Sequence, residues 1–312
     1  MGISYDYFSS ILLCAEDDSS IFCYDDQEDV DRHWSKWSPR PKLGGFYGDF
    51  SVDFPLLSDD CLSLLLGREA EHLPEESYAK RLMNGSPEVS VRRDAIDSII
   101  KVHSYYKFGP LSCYLSVNYL DRFLSCYELP QGKAWISQLL SVACLSLAAK
   151  VEEMEVPLLI DLQVGEVKFE ARTIQRMELL VLNTLKWRMQ ALTPFSFLDY
   201  FLHKLNGDKS PAKLSVSLSV ELILSTLRDI KFLSFRPSEI AAASALSVMS
   251  KPQTLDVNEA FSHCGYVDKD RMLKCYEVIR EEMLLNRVIL KNGIESVPSM
   301  PQSPIGALML HA

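Results

Sequence analysis

From residue 84 to residue 290, apolar positions recur at steps of three and four, the spacing that lines one face of a helix. Ile96, Ile99, Ile100 and His103 share a face across 94–106, and Leu120, Phe123, Leu124 and Tyr127 do so across 111–127. Residues 134–151 are apolar nearly all round, with serines and alanines that allow close approach. Such a helix belongs at the centre of a bundle. Ile174, Met177, Val181 and Leu185 mark a further helix over 173–187. A second set follows. Thr193 reads as an N-cap ahead of Pro194 at the first helical position, with Phe195, Leu198, Phe201 and Leu202 as the apolar face. Helices over 214–227, 239–249 and 268–290 complete it, and Ala241, Ala242, Ala243 and Ala245 suit another crowded central position. Ahead of both sets, Ser58 opens a helix with Asp59 and Asp60 at its positive end, a Leu62, Leu65 and Leu66 stripe, and Pro74 as its stop. Period-two alternation is nearly absent. The expected fold is all-α.

The organisation expected is an acidic arm over 1–53, a helical segment over 54–83, helical sets over 84–190 and 191–290, and a Ser/Pro-rich tail over 291–312. The arm and tail are rich in Asp, Ser, Gly and Pro, a composition that cannot bury enough apolar surface to fold. With 312 residues and 47% hydrophobic content, the remainder can form two sizeable cores.

The net charge of -10 and pI near 5.2 exclude a basic nucleic-acid surface. The eight cysteines include no C-x-x-C pair, so no zinc site is expected. Cys144 sits in an apolar run and reads as a small buried hydrophobe. No secretory signal or membrane-length apolar run is visible; 135–149 is too short and carries Ser137, Gln138 and Ser141. Reduced cysteines place the chain in nucleus and cytoplasm.

Enzyme signatures fail. The six histidines are isolated, the glycines at 44–48 lack a phosphate-loop spacing, and no catalytic residue, metal or cofactor is expected. Asp25, Asp26 and Asp29 form a D-D-x-x-D run that could bind magnesium and a diphosphate on a helix, but they lie in the acidic arm. Leu12, Cys14 and Glu16 form an L-x-C-x-E signature. In an extended segment, side chains two apart share a face, so two apolar groups and one carboxylate point the same way. Chance produces this pattern in roughly one chain of this length in thirty; its weight depends on the rest. Two charges intrude on apolar helices: Lys150 at a helix end that favours a cation, and Glu178 between Met177 and Leu179, where an exposed face is the simplest reading. Arg92 and Asp121 also stand beside apolar helices and could pair.

The runs Arg92–Ile96, Asn118–Leu124, Leu147–Glu153 and Arg176–Leu180 resemble successive helices of a cyclin box. With the L-x-C-x-E arm, the chain resembles a plant D-type cyclin over nearly its whole length. The resemblance implies two five-helix boxes and no catalytic atom. It implies contact with a cyclin-dependent serine/threonine kinase through Lys150, Glu153 and Glu178, a structural ion pair between Arg92 and Asp121, and a core role for Leu139. Retinoblastoma-related and kinase inhibitor proteins are the implied further partners, with G1/S progression as the outcome. Ser303, before Pro304, is the expected phosphosite. Val91, Asp94, Ala95 and Ser98 fall where many cyclins carry a substrate-docking patch, and are more polar and smaller. The alternatives are a transcription factor of the TFIIB class, which shares the fold but wants a basic surface and zinc ribbon, and a magnesium enzyme using the Asp25, Asp26 and Asp29 run.

Overall fold

A computed structural model describes residues 57–130, 135–163, 167–249 and 266–294. Leu12, Cys14, Glu16, the Asp25, Asp26 and Asp29 run, and Ser303 lie outside the described residues. Ten α-helices and two 3₁₀ turns, with no strand, make up the described residues. They are α1 (Asp59–Arg68), α2 (Glu76–Met83), α3 (Glu88–Tyr106), α4 (Pro110–Cys126), α5 (Trp135–Glu152), α6 (Ala171–Thr184), α7 (Phe195–Leu205), α8 (Lys213–Ser225), α9 (Pro237–Met249) and α10 (Lys269–Ile294).

Local chemistry sets several helix ends. Ser58 caps α1, its side chain accepting from the Cys61 amide at 3.3 Å. α3 begins at Glu88, straight after Pro87, six residues ahead of the start its isoleucines suggest. Pro110 opens α4, where its missing N–H costs nothing. The cap expected of Thr193 is not made. Its hydroxyl is buried without a partner among the described residues, and the Ser196 side chain instead accepts from the Thr193 amide at 3.3 Å. α10 continues to Ile294, so residues 291–294 are helical rather than part of the tail.

Two cores result, each built around one helix of small and apolar residues. α5 packs against α3, α4 and α6. Leu139, Ala143, Cys144, Ala148 and Ala149 are fully buried along it. α9 packs against α7, α8 and α10, with Ala241, Ala243 and Ala245 fully buried. Small residues let backbones approach closely, so each central helix touches three neighbours. At 18 residues, α5 is long and apolar enough to cross a membrane, contrary to the shorter run expected, yet its apolar side chains are spent on the first core. Between α5 and α6 the chain makes a turn closed by the Leu162 amide on the Leu158 carbonyl.

α1 belongs to neither neighbour in sequence. Leu62 is fully buried in the second core, and the Tyr200 hydroxyl donates to Asp59 Oδ1 at 2.8 Å. In the following 3₁₀ turn, Glu69 is buried and accepts from both the Ser238 amide and hydroxyl at 3.0 Å, which satisfies the N-terminus of α9. Burial outweighs these bonds and pushes the Glu69 carboxyl above the ordinary glutamate range.

Candidate partner-binding site

Lys150 ends the run of buried residues on α5, where the negative pole of the helix favours its charge. Its Nζ donates to both carboxylate oxygens of Glu178 at 2.8 Å. Glu178 is on the inner side of α6, its side chain 8% exposed, whereas that of Lys150 is 39% exposed. Glu178 is therefore not on an exposed helix face. A carboxylate at this depth needs a cation, and Lys150 supplies it from 28 residues away. The ammonium has three hydrogens, so one remains for an acceptor outside the chain.

Glu153 follows immediately and turns inward. Its Oε1 accepts from the Gly109 amide at 2.8 Å and from the Ser112 hydroxyl, which ties the end of α5 to the start of α4. The chain then presents an apolar rim: Met154 and Leu158 are 75% and 73% exposed, and Val156, Ile160 and Val167 are also exposed. Leu179, beside Glu178, adds to it. Two devices hold this rim. The Tyr106 hydroxyl donates to the Asp161 carbonyl at 3.1 Å. Buried Gln163 clips Phe169, accepting from its amide at 2.6 Å and donating to its carbonyl at 2.9 Å. Exposed apolar side chains close in sequence to a charged pair have the composition found at protein–protein interfaces.

Arg92 and Asp121 lie deep, 3% and 5% exposed at their side chains. Arg92 Nε donates to Asp121 Oδ1 at 2.7 Å and Nη2 to Oδ2 at 3.0 Å, a two-pronged pairing. The Tyr78 hydroxyl also donates to Asp121, at 3.0 Å; burial first, then that carboxylate, drive the phenol pKa far upward. Arg92 further donates to the carbonyls of Leu227 and Arg228 at 2.9 and 3.1 Å. Arg228 pairs with Asp97 at 2.9 Å. One guanidinium thus joins α3, α4 and the connection after α8, and locks the two helical sets together.

Of the positions aligned with a substrate-docking patch, Ala95 is fully buried in the first core. Val91 and Ser98 are half-buried and Asp94 is exposed; Ser98 Oγ donates to the Asp94 carbonyl at 2.9 Å. That surface is small and polar. Among the described residues no group of His, Cys, Asp and Glu could hold a metal ion.

Sequence reasoning missed Tyr78, Glu69, Gln163 and the pair of buried Glu239 with partly exposed Arg271, which meet at 2.6 Å. Only Glu239 left a signal: it lies three residues after Arg236, the capping-box distance, and accepts from that residue's amide at 2.8 Å.

A family model described as "Cyclin, N-terminal domain" matches residues 60–190, and one described as "Cyclin, C-terminal domain" matches 192–294. The chain is 50% identical over 314 residues to Cyclin-D3-1 of Oryza sativa subsp. japonica, covering 99% of this chain and 90% of that protein. It is 50% identical over 317 residues to Cyclin-D4-1 of the same organism, covering 98% and 87%. To Cyclin-D4-1 of Arabidopsis thaliana it is 50% identical over 231 residues, covering 72% and 75%.

Proposed function

Because this chain belongs to the cyclin family and is similar throughout to plant D-type cyclins, we propose that it binds and activates a cyclin-dependent serine/threonine kinase and carries it to a retinoblastoma-related protein, promoting the passage from G1 to S phase. Cyclins are regulatory subunits and not enzymes, and this chain takes that role with its family. The observation that carries the kinase reading is the Lys150–Glu178 pair beside the rim of Met154, Leu158, Ile160 and Leu179. The buried carboxylate fixes the ammonium. The free hydrogen of that ammonium and the apolar rim offer a polar anchor within a hydrophobic contact, the composition of an interface centre.

Docked there, a kinase would have its αC helix held inward, so that the αC glutamate reaches the β3 lysine and completes the phosphoryl-transfer site. The cyclin would supply no reacting atom, only binding free energy that favours one kinase conformation over another. Glu153 supports the face from within, through Gly109 and Ser112, rather than offering its own carboxylate outward. The arm carrying Leu12, Cys14 and Glu16 would hold the retinoblastoma-related pocket independently, two apolar groups in small pockets and one carboxylate on amides or a basic rim. Kinase inhibitor proteins would meet the assembled pair, in nucleus and cytoplasm.

The test replaces both members of the pair. Lys150→Ala alone would strand buried Glu178, so the double variant Lys150→Ala with Glu178→Ala separates binding from folding. Truncating interface hot spots costs about 2 kcal/mol or more, about thirtyfold in affinity. Co-purification with the kinase should be lost while helical circular dichroism is retained; undiminished kinase activation would refute the assignment.

A further inference from the structure

Positive charge gathers at a second place, away from the Lys150–Glu178 pair. Arg122 on α4 is 6% exposed. Its Nη1 donates to Asn118 Oδ1 at 3.4 Å and to the Arg188 carbonyl at 2.9 Å. No carboxylate pairs with it among the described residues, and its Nε and Nη2 have no acceptor there. A guanidinium buried this far ordinarily has an anion beside it. Asn118 Nδ2 donates to the His72 carbonyl at 3.1 Å, which draws the 3₁₀ turn after α1 to the same spot. His72 is 7% exposed, and its Nδ1 is buried without a hydrogen-bond partner among the described residues.

The groups crowd one another. Burial and then the charge of Arg188 lower the Arg122 pKa. Burial, Arg122, Arg188 and Arg68 together lower that of His72, so its imidazole is neutral at pH 7 and has one N–H to donate. The Glu71 carboxylate opposes this shift, and it is turned to the surface beside Arg68 at 3.8 Å. The Arg122 guanidinium, the Arg188 backbone and the turn bearing Arg68 and His72 are thus drawn together, in a chain whose net charge is -10.

We propose that Arg68, His72, Arg122 and Arg188 form a binding site for a phosphate monoester carried on a peptide, a phosphoserine or phosphothreonine. A phosphate has about two negative charges and three acceptor oxygens, enough to take a fork of donors from each of two guanidiniums and the imidazole N–H. A carboxylate, with one charge, would leave the arginines repelling each other. The site is built from α1's following turn, α4 and the stretch after α6, and stands whether or not the kinase reading holds. On a kinase-bound chain it would retain a substrate already phosphorylated once and raise its local concentration for the next transfer.

The test measures binding of the full chain, by fluorescence anisotropy, to a peptide library randomised around a fixed phosphoserine and to the same library with serine. The phosphorylated library should bind at least about tenfold tighter, a difference of about 1.4 kcal/mol, and more weakly as salt rises. Arg68→Glu with Arg188→Glu, both at exposed positions, should abolish that difference with circular dichroism unchanged. Lys150→Ala with Glu178→Ala should leave it intact. Inorganic phosphate should compete at high concentration. Equal binding of the two libraries, a preference that survives the charge reversals, or binding of inorganic phosphate without any preference for the phosphorylated library would each overturn the proposal.

Discussion

Arg92→Ala tests the buried lock most directly. The substitution removes both prongs on Asp121 and strands a carboxylate whose side chain is 5% exposed, with only the Tyr78 hydroxyl left to it. Breaking such a pair costs about 3–5 kcal/mol. The carbonyls of Leu227 and Arg228 lose their donor as well, so the upper half of that range is expected. For a folded body of this size each kcal/mol shifts the melting temperature by about 2–4 °C, so the midpoint should fall by about 8–20 °C. Because the bonds cross between the two sets, scanning calorimetry should show a broadened or split transition as they melt separately. Asp121→Asn, which keeps the shape and leaves Arg92 its two carbonyls, should lose less. Arg92→Met with Asp121→Leu should lose less than Arg92→Ala alone, since neither charge is stranded. A midpoint for Arg92→Ala within about 2 °C of the wild type, or a double variant worse than the single, would refute the account.

Three further outcomes are expected. His103 meets the Gly109 carbonyl at 3.1 Å, and burial holds its pKa below the usual 6.5; the unfolded chain takes a proton first as pH falls through 6.5, so this group withdraws stability on acidification. His103→Gln should flatten the loss of melting temperature between about pH 7.5 and 5.5 relative to wild type, and an unchanged profile would show that the imidazole is not held neutral. Glu69→Ala should cost about 1–3 kcal/mol in urea unfolding by leaving the Ser238 amide without its acceptor, while Glu69→Gln should cost less; equal losses would mean that the charge, not the hydrogen bond, matters. Ser303→Ala should lengthen the half-life of the chain in cells if phosphorylation before Pro304 marks it for turnover, and equal half-lives would count against that role.

The central helices were legible because composition alone betrays them: apart from small serines, α5 and α9 are apolar nearly all round. The first turns of α3 were not, since they precede the isoleucines that mark the helix; the pairing of Arg92 with Asp121 was open to the sequence, but their joint hold on the carbonyls after α8 was not. Glu178 misled because its partner is 28 residues away, beyond any local window, so periodicity places it outside whereas the cyclin resemblance singles it out for contact. α2 has only eight residues, two turns held by Tyr78 and Leu82 against the first core, too short for an apolar rhythm to declare itself. The Thr193 hydroxyl takes no amide of the first turn, and only the reverse bond forms, from the Thr193 amide to the Ser196 side chain.

The attachment of α1 to the second core bears on the order in which the protein can be made. A ribosome releases Leu62 and Glu69 well before Phe197, Ser238 and Ala241, the residues around which they end. Helix α1 must therefore wait, its leucine stripe uncovered, while the whole first core condenses between it and its destination. Contacts of that sequence separation close slowly, and a waiting apolar face is a site for chaperones or mispairing. The same geometry makes the second set dependent on a distant strap: a fragment beginning at Leu192 would leave the Ser238 amide of α9 without its Glu69 acceptor and a hole where Leu62 belongs.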